Sequence, residues 1–184
     1  MDERVVIEAT RRWVVGVVVG LNLCPFARRV SEAGRVRYAV TGAADEEGLL
    51  GALGAELSAL AAAPRAEVET TLLVHPGVLA DFADYNDFLP AADALVRRLG
   101  LRGVVQIAGF HPNYQFAGAD RDAVENYTNR SPYPMLHLLR EASVTEVAAD
   151  PDALAGIPVR NVAVLRRLGR EEVLARWRAN GDDG

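Results

Sequence analysis

The sequence has little cysteine and no apolar run long enough to cross a membrane. Among 184 residues Cys24 is the one cysteine, which excludes a disulfide framework within the chain and favours a reducing compartment. The apolar run from Trp13 to Val19 is too short to span a bilayer. A basic pair before this run and the cysteine after it resemble an export signal, but acidic residues precede the pair and no small residue precedes Cys24. We therefore expect a buried helix and no membrane partner.

The chain also lacks an excess of positive charge. Its formal net charge of -5 argues against nucleic acid as a partner, because phosphate binding needs a basic face. Arginines dominate the basic residues, so a local anion site remains open. Half of the residues are apolar and a quarter are charged, and we predict a single domain over residues 1–184.

Hydrophobic spacing predicts alternating strands and helices. The predicted strands are residues 35–40, 70–76 and 103–112. The predicted helices are residues 4–20 (with a strand as the alternative), 25–33, 49–60, 78–89, 90–99, a short helix from Pro134, and 171–179. The strand-helix-strand order favours parallel pairing with right-handed crossovers. We predict a single-domain α/β fold with a small, mainly parallel sheet of three or more strands, flanked by helices.

Two of the predicted strands end in His-Pro. In open α/β sheets, ligands bind beyond the carboxyl ends of the strands. If the strands are parallel neighbours, His75 and His111 open on one cleft at that edge, shared with the loop 111–133. Alternatively, each His-Pro pair only turns the chain out of the sheet.

The third histidine, His137, lies in the predicted helix from Pro134. It points away from an apolar stripe at i, i+3, i+4 and i+7, and Glu141 follows one turn later on the same side. A His and Glu at this spacing can bind a metal, or they form an ordinary solvated pair. The possible metal ligands are His75, His111, His137 and Glu141; the metal and any other cofactor remain unknown.

Cys24 precedes Pro25, a residue that suits the first position of a helix. This makes Cys24 a candidate helix cap with a lowered thiol pKa, aided by Arg28 and Arg29. The sequence therefore offers Cys24 as a possible nucleophile, with a buried structural cysteine as the alternative.

The long polar stretch from residue 110 to residue 141 also carries candidate binding groups. Arg130 could hold a carboxylate or phosphate through two hydrogen bonds. The other candidate substrate-binding residues are Tyr114, Asn126, Asn129 and Ser131. Asn and Ser also form turns, and the prolines at 132 and 134 force an extended entry to the next element. Long loops without structure of their own are often functional, which favours a site here.

The stretches GLNLCPFA, TTLLVHP, DFADYNDFL, QIAGFHPNYQFAG and NYTNRSPYPMLHLLRE together resemble the bacterial family called domain of unknown function 1415. The similarity covers nearly the whole chain, and the last two stretches are long enough to be specific. The resemblance implies a bacterial, cytoplasmic protein and no particular activity.

Two functional hypotheses follow. The first is an enzyme acting on a small, anionic molecule, with His111 as acid/base group or metal ligand, His137 as a second acid/base group, Cys24 as nucleophile and Arg130 as anion clamp. The second is a non-catalytic binding or assembly module that uses the apolar N-terminal helix as an interface, for example in a homo-oligomer.

Overall fold

The protein has an α/β architecture of four strands and seven α-helices within residues 2–147 and 151–181, the residues described by this computed structural model. The strands are β1 (Val36–Val40), β2 (Thr70–Val74), β3 (Val105–Phe110) and β4 (Met135–Arg140). The α-helices are α1 (Glu3–Trp13), α2 (Ala27–Glu32), α3 (Glu46–Ala62), α4 (Phe82–Arg98), α5 (Glu141–Val147), α6 (Pro151–Leu168) and α7 (Arg170–Gly181). A π-helix (Val14–Val19) continues α1, and a 3-10 helix covers Val124–Thr128.

The sheet is mixed, and its strand order is β1-β2-β4-β3. Strands β1 and β2 are parallel, whereas β4 lies between β2 and β3 and runs antiparallel to both. The α/β class is confirmed, but the expectation of a mainly parallel sheet is wrong, because two of its three strand pairs are antiparallel. The cause is β4, since the predicted helix from Pro134 is this fourth strand.

Strand β4 lacks the alternating pattern that identifies a strand in sequence, because it is covered on both faces. Leu136 and Leu138 contribute to one core cluster, and Met135 contributes to the other. A central strand of this kind reads as a continuous apolar run, and the run MLHLLR also satisfies helical spacing.

Each face of the sheet carries its own core. Helix α3 covers one face with four buried leucines and is accompanied there by α4. The N-terminal helices and α7 cover the other face, where Leu72 and Met135 meet Trp13 and Val173. A strand side chain therefore packs into one core cluster or the other, depending on the face of the sheet to which it points.

The N-terminal segment is helical, as predicted, but part of it is wider than an α-helix. Helix α1 begins at the cap Asp2, whose carboxylate accepts the N–H of Arg4, and the π-helix follows directly after Trp13. The buried side of this segment packs against α7 and β1 of the same chain. Assembly through its outer side stays a prediction. None of the helices in the described ranges combines the length and apolarity needed to cross a bilayer.

Two other helix predictions need correction. Helix α4 is continuous across Pro90, where the sequence predicted two helices, because one proline removes a single backbone hydrogen bond and the packed helix persists. Helix α2 begins at Ala27 and its cap residue is Phe26, so Cys24 is not the cap.

Candidate functional site

A small chamber lies between the N-terminal helices and the sheet. Its volume is about 170 Å³. Its walls are mainly apolar, and its polar groups come from Trp13, Cys24, Thr70 and His137. The remaining lining residues are Val14, Val18, Phe26, Ala27, Val30, Val36, Leu72, Ala108, Phe110 and Leu139. The chamber thus combines two of the predicted catalytic residues, Cys24 and His137, in one apolar space.

A wider groove adjoins the chamber. It has a volume of about 960 Å³ and lies between residues 116–119, the 3-10 helix and α6. Val18, Cys24 and Phe110 line both spaces. Cys24 therefore lies between the groove and the chamber.

The hydrogen bonds of His137 define its tautomer. Its Nε2 lies 2.8 Å from Thr70 Oγ1, and the same hydroxyl lies 2.6 Å from the carbonyl oxygen of Leu138. Because a carbonyl only accepts, the Thr70 hydroxyl donates to Leu138 and must accept the N–H of His137 Nε2. Burial lowers the pKa of His137 to about 4, so the ring is neutral at pH 7. Its Nδ1 is consequently a hydrogen-bond acceptor.

Trp13 supplies a donor that has no partner. The indole is 2% exposed, and its Nε1 is buried without a hydrogen bond to any of the described residues. Its ring packs edge-on against Phe110 at 5.4 Å, and Phe110 in turn lies 6.0 Å from His137. Sequence reasoning missed Trp13 and Thr70, and the one available signal was an indole directly before the aliphatic run Val14–Val19.

The thiol pKa of Cys24 is shifted in the direction opposite to the sequence prediction. Burial raises the pKa of its thiol, although backbone N–H groups of Phe26 and Ala27 and the positive charge of Arg160 act in the opposite direction. The predicted low pKa is therefore wrong, because desolvation outweighs the local donors. Within the described part of the chain, no hydrogen bond joins Cys24 to His137.

We expect Cys24 to react with iodoacetamide more slowly than glutathione at pH 7, because little of the thiol is ionised. The measurement is the rate of alkylation by mass spectrometry as a function of pH. Above pH 9 the rate should rise steeply, and the urea-unfolded chain should react like glutathione. A rate above that of glutathione at pH 7 in the folded protein would contradict this expectation.

His75 and His111 lie at the same end of the sheet but do not open on a cleft. Strand β4 separates their strands, so they are not neighbours, and both side chains are fully buried. They flank Tyr85, with ring centroids 5.9 and 5.1 Å from it. His111 donates from Nε2 to the Leu79 carbonyl and accepts the N–H of Asn113 at Nδ1. These contacts place His111 in a packed structural environment.

The four possible metal ligands do not converge. His137 lies on the sheet face of the N-terminal helices, whereas His75 and His111 contact Tyr85, which belongs to the opposite core. Glu141 is the first residue of α5 and shares no helix with His137. In the part of the chain that the structure describes, no three His, Cys, Asp or Glu side chains form a group able to hold a metal ion.

Comparison with known proteins decides the family. The sequence matches the family described as Protein of unknown function (DUF1415) over residues 5–175. The chain belongs to the DUF1415 family. The predicted resemblance is confirmed, and every residue that lines the chamber lies within the matched range. No curated protein and no solved structure matches the chain significantly.

In this DUF1415 protein, the loop that leads from β3 to β4 is braced from within. The fully buried Asn126 accepts the N–H of Phe116 and donates to the carbonyls of Asp120 and Arg121. Asn129 donates to the Gly109 carbonyl. Ser131 likewise donates its hydroxyl to a backbone carbonyl, that of Tyr133. The amides and hydroxyl predicted to bind substrate thus satisfy backbone groups of the loop and of β3.

Arg130 also bonds to this loop. Its Nε donates to the Tyr114 carbonyl at 3.2 Å and one terminal nitrogen to the Arg121 carbonyl at 2.7 Å. The guanidinium carbon lies 4.5 Å from the centre of the Tyr127 ring. Tyr114 itself packs its ring against Phe82 and Phe116. Anion binding by Arg130 stays a prediction, and the observed contacts give it a role in stabilising the loop.

We expect Arg130→Lys to lower the free energy of unfolding by about 1–2 kcal/mol, because an ammonium cannot reach both carbonyls and stack on the ring. Urea unfolding at pH 7 measures this change. The control is Arg121→Lys, since Arg121 contributes a carbonyl and its side chain is exposed. Equal stabilities of the two variants would contradict the bracing role.

Proposed function

We propose that the protein binds a small, neutral, mainly apolar molecule in the chamber, which the molecule reaches from the groove past Cys24. The observation that carries this proposal is the chamber itself, an apolar space of about 170 Å³ whose lining includes Cys24 and His137. Ligand sites in proteins combine predominantly apolar walls with a few polar groups that orient the ligand.

The dimensions support a small ligand. A cavity of about 150 Å³ lined by apolar side chains accepts a molecule such as benzene. The chamber, at about 170 Å³, matches a ligand group of that size. The groove of about 960 Å³ leaves room for a further part of the molecule. A six-membered ring with a substituent directed toward the groove therefore fits the two connected spaces.

The charge distribution favours a neutral ligand over the anionic one predicted from the sequence. Among the residues that the structure describes, the chamber lining contains no Arg, Asp or Glu, and its one imidazole is neutral at pH 7. At the groove, Glu125 and Arg166 form an ion pair at 2.7 Å, so their charges largely offset one another. An anion entering the chamber would lose its hydration without gaining a cationic partner there.

The arrangement supports binding more directly than catalysis. Cys24 and His137 are the reactive side chains of the chamber, but the thiol is protonated and not hydrogen-bonded to the imidazole. A cysteine nucleophile needs an adjacent base or a lowered pKa. The catalytic roles of Cys24, His137 and His111 accordingly stay predictions.

Toluene tests the proposed function, because it matches the chamber in size and carries no polar group. In a Trp177→Phe protein, Trp13 is the one remaining tryptophan, and its fluorescence reports on the chamber. We expect toluene to change this fluorescence saturably and to raise the melting temperature. Ala108→Leu, which fills the chamber, should abolish both effects, whereas Ala117→Leu in the groove should leave them. Absence of saturable binding to the Trp177→Phe protein would overturn the proposal.

A further inference from the structure

We infer that two copies of the chain associate through the outer edge of β1, so that their two sheets join into one continuous sheet. This inference does not depend on ligand binding in the chamber. It places the interface at the edge of a strand and not on the outer side of the N-terminal helix.

Strand β1 lies at one end of the sheet and pairs on one side only, with β2. Across this pair the N–H of Thr41 donates to the Val74 carbonyl. Successive residues of a strand direct their backbone N–H and C=O groups alternately to its two sides. The odd-numbered residues of β1 therefore face β2, and the backbone groups of Val36, Tyr38 and Val40 face the outer edge.

These three residues carry hydrogen-bonding groups that the fold leaves unused. Each residue is half-buried, and no described residue bonds to its N–H or its carbonyl. A row of unpaired backbone groups is a template for pairing with another strand. The other edge strand, β3, is partly closed, because Asn129 bonds to the Gly109 carbonyl and to the His111 N–H. The outer edge of β1 is therefore the better candidate for strand pairing.

A second copy of β1 satisfies all of these groups when the two strands are antiparallel and centred on Tyr38. In this register Tyr38 faces the second copy's Tyr38, and Val36 faces the second copy's Val40. Each directly opposite pair of this kind exchanges two hydrogen bonds. A shift by two residues would place one outward residue of each copy beyond the five-residue strand of the other. The edge is thus self-complementary in one register, as a twofold interface requires.

The side chains match in the same register. Tyr38, Val36 and Val40 belong to the sheet face of the N-terminal helices. Opposite pairs of aromatic and of β-branched side chains stabilise antiparallel strands. On that face a tyrosine pair would lie between two valine pairs, and on the other face Arg37 would lie beside the second copy's Ala39. No two like charges are directly opposite in this arrangement.

The charges at the edge are balanced within each copy. Arg37 donates to both carboxylate oxygens of Glu56, at 2.7 and 2.9 Å. On the other face the guanidinium carbon of Arg11 lies 5.1 Å from the centre of the Tyr38 ring, and its Nη1 lies 3.5 Å from Glu8. Unpaired charges protect edge strands from association. Because these arginines have carboxylate partners, they do not repel a second copy.

Sedimentation velocity at rising protein concentration tests the inference. We expect a monomer–dimer equilibrium. Tyr38→Lys places two ammonium groups opposite each other at the centre of the interface, so it should raise the dissociation constant of the dimer about tenfold or more. Gln106→Lys makes the same change of charge at an exposed position of β3 and should leave the dissociation constant unchanged.

Cross-linking gives a second measurement that does not depend on weakening the dimer. Cys24→Ser removes the one native cysteine. In that background Tyr38→Cys should form a disulfide between copies on mild oxidation, because directly opposite Cα atoms about 5.5 Å apart lie within disulfide range. Gln106→Cys in the same background should form none.

The contrary outcomes are distinct. A protein that stays monomeric at every concentration, or a Tyr38→Cys variant that forms no disulfide, would overturn the inference. A dimer weakened by Gln106→Lys and not by Tyr38→Lys would assign the interface to β3 instead. A dimer that neither lysine weakens would assign it to another surface, such as the outer side of the N-terminal helix.

Discussion

Lowering the pH from 7 to 4 is expected to destabilise the protein by about 3 kcal/mol for each of two histidines, His75 and His137. Burial lowers the pKa of each from its ordinary value of 6.5 to about 4. His75 is fully buried and donates from Nδ1 to the Val78 carbonyl at 3.0 Å. His137 donates to Thr70 beside the chamber. Both side chains are thus held neutral in the folded protein.

The direction of this change in stability follows from proton uptake by the unfolded chain. Between pH 6.5 and 4 the unfolded chain binds protons at these histidines, whereas the folded protein does not. Their contribution to stability is therefore complete above pH 6.5 and is lost as the pH falls to about 4. Burial also lowers the pKa of His111, which acts in the same direction. Ion-paired carboxylates such as Glu69, whose pKa is lowered, contribute in a more acidic range.

Urea unfolding at pH 7 and pH 5 measures the larger part of this effect, about 2 kcal/mol for each histidine. His75→Asn retains a side-chain donor near the position of Nδ1, and His137→Gln retains one near Nε2, so each variant removes the titration while keeping a hydrogen bond. Each variant should show a smaller loss of free energy between pH 7 and pH 5 than the unmodified protein. If the unmodified protein is equally stable at both pH values, the histidines are not held neutral by burial.

The burial of each strand and helix explains whether it could be predicted from the sequence. Strands β1, β2 and β3 are found where their apolar spacing indicated, and the N-terminal run is the buried helix that was expected. Strand β4 was not predicted because both of its faces are covered. Its sequence therefore lacks the alternation of apolar and polar residues on which strand prediction depends. One misassigned strand was sufficient to change the sheet from parallel to mixed and to separate His75 from His111.

Only part of the candidate site could be predicted from the sequence. Cys24 and His137 were selected for their chemistry, and both line the chamber. Trp13 and Thr70 were not, because their importance depends on hydrogen bonds that they make or lack in three dimensions. Conversely, Arg130 and Asn126 were selected because polar side chains are concentrated in this loop. In the structure, both side chains form hydrogen bonds with backbone groups of the loop. Polar side chains in a loop are available to a ligand only when the loop's backbone carbonyls and N–H groups have other hydrogen-bond partners.

Gly20→Ala is expected to lower the free energy of unfolding by about 2–3 kcal/mol and to weaken ligand binding, because an added methyl group cannot be accommodated. A Cβ atom at Gly20 would overlap the carbonyl oxygen of Gly16, a backbone atom of the π-helix. The turn that follows leads to Cys24 in the chamber lining and is held by N–H groups of Leu21 and Leu23 bonded to carbonyls of the π-helix. Relief of the overlap must therefore displace this turn.

Two matched glycine variants separate this steric effect from the general preference of helices for alanine. A Cβ at Gly51, on the exposed side of α3, would meet nothing within 4 Å, so Gly51→Ala should raise stability by up to about 1 kcal/mol. At Gly16 a Cβ would meet the end of the Asn180 side chain, which can rotate away, so Gly16→Ala should cost less than Gly20→Ala. Urea unfolding gives the three stabilities, and toluene titration in the Trp177→Phe background reports on the chamber. If Gly20→Ala is as stable as Gly51→Ala and binds toluene normally, the π-helix does not set the position of Cys24.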